Sequence, residues 1–180
     1  CARCSEVRPK VCLRCGSLAM KVLRVGVSRV REDLAALLGC AVGMVTASER
    51  DIGDARLIVG TEAVLRGAPD ALGARVGSVA FLDFDQELLA PRYRASEEAL
   101  GLLVAASRMV AGRNGTVLVQ TRNPTHEVIR AAIGADPAPV GVAEWPRRQM
   151  LGLPPAASLA AVGGEAASEW MRRFGRPQGI

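Results

Sequence analysis

The stretch from Arg56 to Asp85 limits what this chain can fold into more than any other. It reads ARLIVG, then TEAVLRG, a loop, and VGSVAFLDFD. Arg56-Leu57-Ile58-Val59-Gly60 is a short apolar run ended by glycine, the pattern of a strand covered on both faces. Thr61 is placed to cap the next turn by accepting from the N–H of residue 63 or 64, and Gly67 to end that turn in a left-handed conformation. Val76 to Phe84 is again apolar and β-branched, and it closes on Asp83 and Asp85. In open α/β sheets, ligands bind beyond the carboxyl ends of the strands. Gly60, Thr61, Asp83 and Asp85 are therefore expected on the functional edge. The plainer reading of the same residues is that they are turn and cap residues.

The flanking segments repeat the alternation. Ala19 to Val27 (AMKVLRVGV) predicts a strand, and Ser28 is placed to cap the helix VREDLAALLG, whose Val30, Leu34, Leu37 and Leu38 share one face. Gly39 ends it. Ala41 to Thr46 is a second short strand, followed by a polar loop. Pro91 to Gly112 is the longest helical candidate, with an apolar stripe of Ala95, Ala99, Leu102, Leu103, Ala106 and Val110. Arg108 and Arg113 at its end suit the helix dipole. GTVLVQT, residues 115–121, predicts another strand. Asn123-Pro124-Thr125 predicts a turn, and Glu127 opens the helix EVIRAAIGA. His126, the one histidine, is expected to be a surface or capping residue. Strands alternating with helices imply an α/β fold with a mostly parallel sheet. PAPVGVAEW reads as a linker by composition, EWPRRQM as a short helix interrupted by Pro146, and LGLPPAASLAAVGG as a turn then a strand. The tail EWMRRFGRPQGI carries no clear fold signal.

Cysteine usage is the sharper chemical clue. Cys1, Cys4, Cys12 and Cys15 form two C-x-x-C pairs, and only Cys40 lies beyond them. A C-x-x-C knuckle points two thiolates at one place, and two knuckles complete a tetrahedral Zn²⁺ shell. Four thiolates leave no open position for water, so the expected role is structural, in a small module over residues 1–18. The distribution is not that of a secreted disulfide scaffold. Cys40, in LLGCAVGMV, is expected to be a buried apolar residue. A net charge of +5 fits an anionic partner without establishing one. No apolar run approaches a membrane span of about 18 residues. The start shows no signal peptide, and a first residue other than Met suggests a piece of a longer protein. No GxxxxGK[ST], HExxH or GxSxG motif occurs.

Several segments, in order, resemble one family. They are CLRCGS, VGVSRVREDL, VGTEAVLRG, VAFLDFD with PRYRASEEALGLL, VLVQTRNPTHEVI and RRQMLGLPP. Together they are similar to the C-terminal helicase lobe of the primosomal protein N′ (PriA) family of superfamily-2 DNA helicases, over roughly residues 1–160. The resemblance implies a RecA-like lobe over residues 19–142, preceded by part of a zinc module, with a linker and the opening of a C-terminal domain over 143–180. It implies Zn²⁺ and ATP as cofactors and a cytoplasmic location. Its partners would be forked or single-stranded DNA and the proteins that restart replication and load the replicative helicase. In the family four Cys pairs hold two ions, which would assign Cys1/Cys4 and Cys12/Cys15 to different ions; all four could also close on one.

The departures from the family carry equal weight. Active members read like QVAGRAGR after the long helix, with a Gln and two arginines toward ATP. Here the segment is AASRMVAGR: the Gln is absent, and Arg108 and Arg113 are spaced by five rather than three. The segment resembling GTQ-x-x-x-KGHDFP keeps Gly60, Thr61 and Gly67 but has Glu62 for Gln and Ala68 for His. An arginine serving a γ-phosphate must be placed to within about an ångström. The wording is similar to the degenerate actinobacterial members, which implies a DNA-binding restart protein without helicase activity of its own. The competing readings are an active 3′-to-5′ helicase, using Gly60, Thr61, Arg108 and Arg113 for nucleotide, and a zinc-containing interaction scaffold. The scarcity of aromatic residues, which supply base-stacking platforms, leaves the scaffold open.

Overall fold

The computed structural model describes residues 11, 15–17, 26–67, 76–110, 114–160 and 163–174. The chain divides into two units, Cys1–Val64 and Leu65–Ile180, so the lobe expected over 19–142 contributes to both.

In the first unit, α1 is Val27–Leu38. Most of the strand expected over 19–27 lies outside the described residues, and its last residue, Val27, is helical instead. Gly26, not Ser28, is the N-cap; the Ser28 hydroxyl turns toward the Met44 sulfur, 4.0 Å away. Gly39 closes the helix in the left-handed region (φ 61°), its N–H donating to Ala35 O as a C-terminal glycine should. Val30 and Leu34 face the sheet and are half-buried, but Leu37 and Leu38 are exposed, against expectation. The reason is length. Twelve helical residues span about 18 Å, four-residue strands about 13 Å, so the last turn overhangs.

The sheet order is β2-β1-β3, with β1 Val42–Val45, β2 Arg50–Asp51 and β3 Leu57–Gly60. The β1–β3 pairing is parallel and in register from Val42↔Leu57 to Val45↔Gly60; β2 is antiparallel to β1. The central strand, β1, is buried throughout. The apolar run of β3, expected to be covered on both faces, is only half-buried because β3 is the edge strand of the described sheet. Arg31 ties helix to sheet: its Nε donates to Val42 O and its guanidinium pairs with Asp51 at 2.6 Å. Cys40, expected to be buried, is exposed just after Gly39. The short helix α2, Ala63–Gly67, spans the division between the units.

The second unit is a strand–helix–strand crossover. β4, Ser78–Phe81, pairs in parallel with β5, Thr116–Val119, from Ser78↔Thr116 to Phe81↔Val119. Between them run α3, Asp85–Leu88, and α4, Ala95–Val110. All six residues of the apolar stripe expected on α4 are buried, with Ser96 beside them. α5, Glu127–Gly134, packs on α4. The core joins Phe84 and Leu88 to Ala99 and Leu103, and to Val128, Ile129, Ala131 and Val140. Phe81 meets Phe84 edge-on, with ring centroids 5.1 Å apart, the arrangement the ring quadrupoles favour.

The chain beyond Pro137 departs most from expectation. What reads as a linker and a broken helix is one helix, α6, Ala138–Leu151, which crosses the domain boundary expected at 143 and contacts both α4 and α5. Pro146 sits inside it without ending it. Its missing N–H orphans the carbonyl of Val142, but both residues are exposed and water can satisfy that carbonyl. The strand expected after LGLPP is absent among the described residues, where turns follow instead. Part of the tail forms a helix, α7, Ala167–Phe174.

Candidate functional site

Polar side chains gather where β4 and β5 end. Past Phe81 the chain turns through Asp83, which holds a positive φ of 54°. That conformation costs a side-chain-bearing residue energy, though Asp tolerates it better than most. Gln120 holds it in place. Its N–H donates to Phe81 O, its carbonyl accepts from Phe84 N–H, and its side-chain oxygen accepts from Asp83 N–H at 3.1 Å. The expected strand over 76–84 is thus cut at Phe81, because Gln120 redirects the backbone while Phe84 drops into the core. The Asp83 carboxylate accepts from the Gln86 side-chain amide.

Asp85 opens α3 and faces the end of β5. Its carboxylate accepts from the Thr121 hydroxyl and, at 2.9 Å, from the Arg122 backbone N–H. The Thr121 hydroxyl bond holds the Asp85 carboxyl below the ordinary carboxylate range, with the Arg122 N–H adding to the effect against a smaller desolvation cost. Asn123 and Thr125 then form the polar turn before α5. His126 is the N-cap, its Nδ1 accepting from Val128 N–H at 3.2 Å, so the capping role expected of it holds. The outcome is an edge bearing Asp83, Asp85, Gln86, Gln120, Thr121 and Arg122. Asp83 and Asp85 were legible as strand-end residues; their partners Gln120 and Thr121 were not, since a pairing 36 or 37 residues apart leaves no local pattern.

The other expected site residues fall in both units. Gly60 and Thr61 stand at the carboxyl end of β3, in the first unit. A Cβ on Gly60 would lie 2.1 Å from Val45 O and 2.4 Å from Val64 Cγ2, so close packing alone requires glycine there. Thr61 N–H donates to Val45 O, and its hydroxyl accepts from Ala63 N–H at 3.4 Å, the capping bond expected. Arg108 is exposed in the last turn of α4. That turn adjoins the amino ends of the strands: Gly115 N–H donates to Val110 O, and Thr116 N–H to Gly77 O. Arg108 therefore stands at the opposite end of the β4–β5 pair from Asp83 and Asp85. Arg113 lies outside the described residues.

Of the four cysteines expected to hold zinc, Cys1, Cys4 and Cys12 lie outside the described residues, and Cys15 is exposed. Among the described residues no group of three His, Cys, Asp or Glu side chains could hold a metal ion. The case for zinc therefore rests on the spacing of the pairs. No helix among the described residues is long and apolar enough to cross a membrane.

One polar cluster escaped sequence analysis. Arg148 is 7% exposed, and its guanidinium reaches Glu97 Oε1 at 2.9 Å, Pro154 O at 3.1 Å and Tyr93 O at 3.3 Å. Beside it, Arg147 pairs with Glu127 at 2.7 Å and with Glu144 at 2.8 Å, while Ser96 donates to Glu144. Burial, the largest single influence, would raise the Glu127 carboxyl, but the Arg147 hydrogen bond, a backbone hydrogen bond and the nearby positive charge together outweigh it, and the net direction is down. Arg147 is raised in turn by Glu127 and then Glu144.

Fold and site together define an α/β protein with one small mixed sheet and one parallel strand pair, whose polar turns collect at the carboxyl ends of that pair. No family model matches the chain. It is 33% identical over 178 residues to the "Probable replication restart protein PriA" of Mycobacterium tuberculosis (strain CDC 1551 / Oshkosh), covering 93% of this chain and 26% of that protein. The "Replication restart protein PriA" of Synechocystis is 31% identical over 174 residues, covering 86% of this chain and 20% of that protein. That of Thermotoga maritima is 31% identical over 113 residues, covering 61% and 15%. The chain is thus a homologue of the PriA replication restart proteins, and it spans about a quarter or less of the length of the curated relatives it matches.

Proposed function

We propose that this chain supplies the second RecA-like lobe of a DNA-binding replication restart protein whose helicase motifs have degenerated. The observation that carries the reading is the relationship to PriA proteins over 93% of the chain. It is joined by the altered arginine spacing and the missing glutamine between α4 and β5. The parallel β4–β5 pair with its helical crossover supports a RecA-like lobe. The position of Arg108 supports degeneration: it stands away from the carboxyl edge where a phosphate would be read in an α/β sheet. Phosphate contacts from arginines would give DNA affinity with little sequence preference. The partners would be forked or single-stranded DNA and proteins of replication restart. Zn²⁺ on the N-terminal cysteine pairs would serve as a structural staple.

The test is DNA-stimulated ATP hydrolysis by the full-length protein, beside an Arg108→Ala/Arg113→Ala variant. Rates near background for both, with fork binding retained, are the expected result. A robust rate that collapses in the double variant would show a working motor and overturn the proposal.

A further inference from the structure

We infer that Arg148 is a clamp that fixes the chain beyond α6 onto the loop preceding α4. The two segments it joins then open and close as one unit, distinct from the β4–β5–α5 core. Three observations carry this.

The first is what the guanidinium does. Its Nη2 serves Tyr93 O and Glu97 Oε1, its Nη1 serves Pro154 O, and its Cζ lies 5.6 Å from the centre of the Tyr93 ring. The planar fork of arginine can reach a carboxylate and two carbonyls in different directions at once, whereas a lysine ammonium is a single point on a flexible stem. The second is that both carbonyls belong to irregular chain. Tyr93 lies in the turns of 91–94, and Pro154 in the turn after α6. No strand or helix ladder fixes either carbonyl, so the buried side chain of Arg148 does so.

The third is that, apart from those of Arg148 and the Ser96 hydroxyl bond to Glu144 of α6, the hydrogen bonds seen in the two partner segments among the described residues are local. After α6, Gly152 takes a left-handed conformation (φ 61°), Leu153 N–H donates to Arg148 O, and Ala157 N–H donates to Leu153 O. Before α4, Ala95 N–H donates to Arg92 O, and Arg92 pairs with Glu87 and Glu98. These bonds shape each turn but do not join the two. One donor of Arg148 is left over: its Nε is buried with no hydrogen-bond partner, the nearest carboxylate oxygen being Glu144 Oε2 at 3.6 Å.

Hydrogen exchange read by mass spectrometry on the intact chain tests the clamp, with Arg148→Lys, Arg148→Met and Glu97→Gln variants. In Arg148→Met, exchange over residues 91–98 and 153–158 should rise together, by at least about tenfold, while 79–81, 117–119 and 128–132 keep their protection. Arg148→Lys should fall between that and the parent, because one ammonium nitrogen cannot occupy both positions from which Nη1 and Nη2 serve the two carbonyls. Glu97→Gln should change little, since Gln still offers an acceptor. Loosening of only one segment, no change in either, full rescue by lysine, or a uniform loss of protection across the whole unit would each overturn the inference. Should Arg148→Met fail to fold, the contrast between Arg148→Lys and Glu97→Gln still decides.

Discussion

At the scale of the residue, the glycines separate necessity from convenience. Gly60 has no room for a methyl group, being hemmed by Val45 O and Val64 Cγ2. Gly60→Ala should lower the stability of the first unit by about 2–4 kcal/mol, through overpacking against backbone that cannot retreat. Gly101, in the exposed face of α4, has nothing within 4 Å of the place a Cβ would occupy, so Gly101→Ala should stabilise by about 0.5–1 kcal/mol. Chemical denaturation of the two variants beside the parent checks both signs. Asp85 is the residue whose titration reports on the carboxyl edge. Its carboxyl titrates below the ordinary value of 3.8, so its hydrogen bonds to Thr121 and Arg122 favour the charged, folded form. That contribution is fully present above the ordinary value and is lost as pH falls through the lower folded value. Carboxyl NMR titration should place Asp85 low, and Thr121→Val should move it back up. An Asp85 that titrates normally in the parent would remove the interaction from the account.

At the scale of the element, helix ends decide more than helix middles. α5 ends with Gly134 inside the helix and Ala135 in the left-handed position (φ 50°), where glycine is the favoured residue. Its bonds are those of an ordinary C-terminal closure, Asp136 N–H to Ala131 O and Ala135 N–H to Ala132 O. Ala135→Gly should therefore raise stability by about 1 kcal/mol by relieving the crowding of Cβ against the backbone. At the other end, His126→Ala removes the acceptor for Val128 N–H and should cost about 1 kcal/mol. Thermal melts of the two variants should move in opposite directions. The elements also show how far local pattern reaches. The stripe from Ala95 to Val110 was legible in full because a 3.6-residue period over sixteen residues admits one face. α6 was not legible, because Pro139, Gly141 and Pro146 speak locally against a helix. What outweighs them is non-local: the burial of Val140 and the ion pairs from Arg147 and Arg148 to Glu127, Glu144 and Glu97.

At the scale of the whole molecule, charge and ancestry point the same way. The proposed function, taken with a net charge of +5, predicts DNA binding largely through phosphates. The logarithm of affinity should then fall linearly with that of salt, by roughly 0.9 per contacted duplex phosphate. Arg122 is exposed on the carboxyl edge. Arg122→Ala in the full-length protein should weaken fork binding evenly across sequences and reduce the salt slope by about 1. A flat salt dependence in the parent would point to the scaffold reading instead.

The sequence by itself determined the α/β alternation, the buried face of α4, the glycine at the end of β3 and the kinship with PriA proteins. Each of these is written in a short window or in segment order. The tertiary structure decided which strand was central and which lay at an edge, where Asp83 and Asp85 found Gln120 and Thr121, and that α6 runs through Pro146. Those outcomes depend on groups far apart in the chain meeting in space, as Arg148 meets Tyr93 across 55 residues and Asp85 meets Thr121 across 36. Pairings of that kind satisfy backbone and charge that local propensity leaves open.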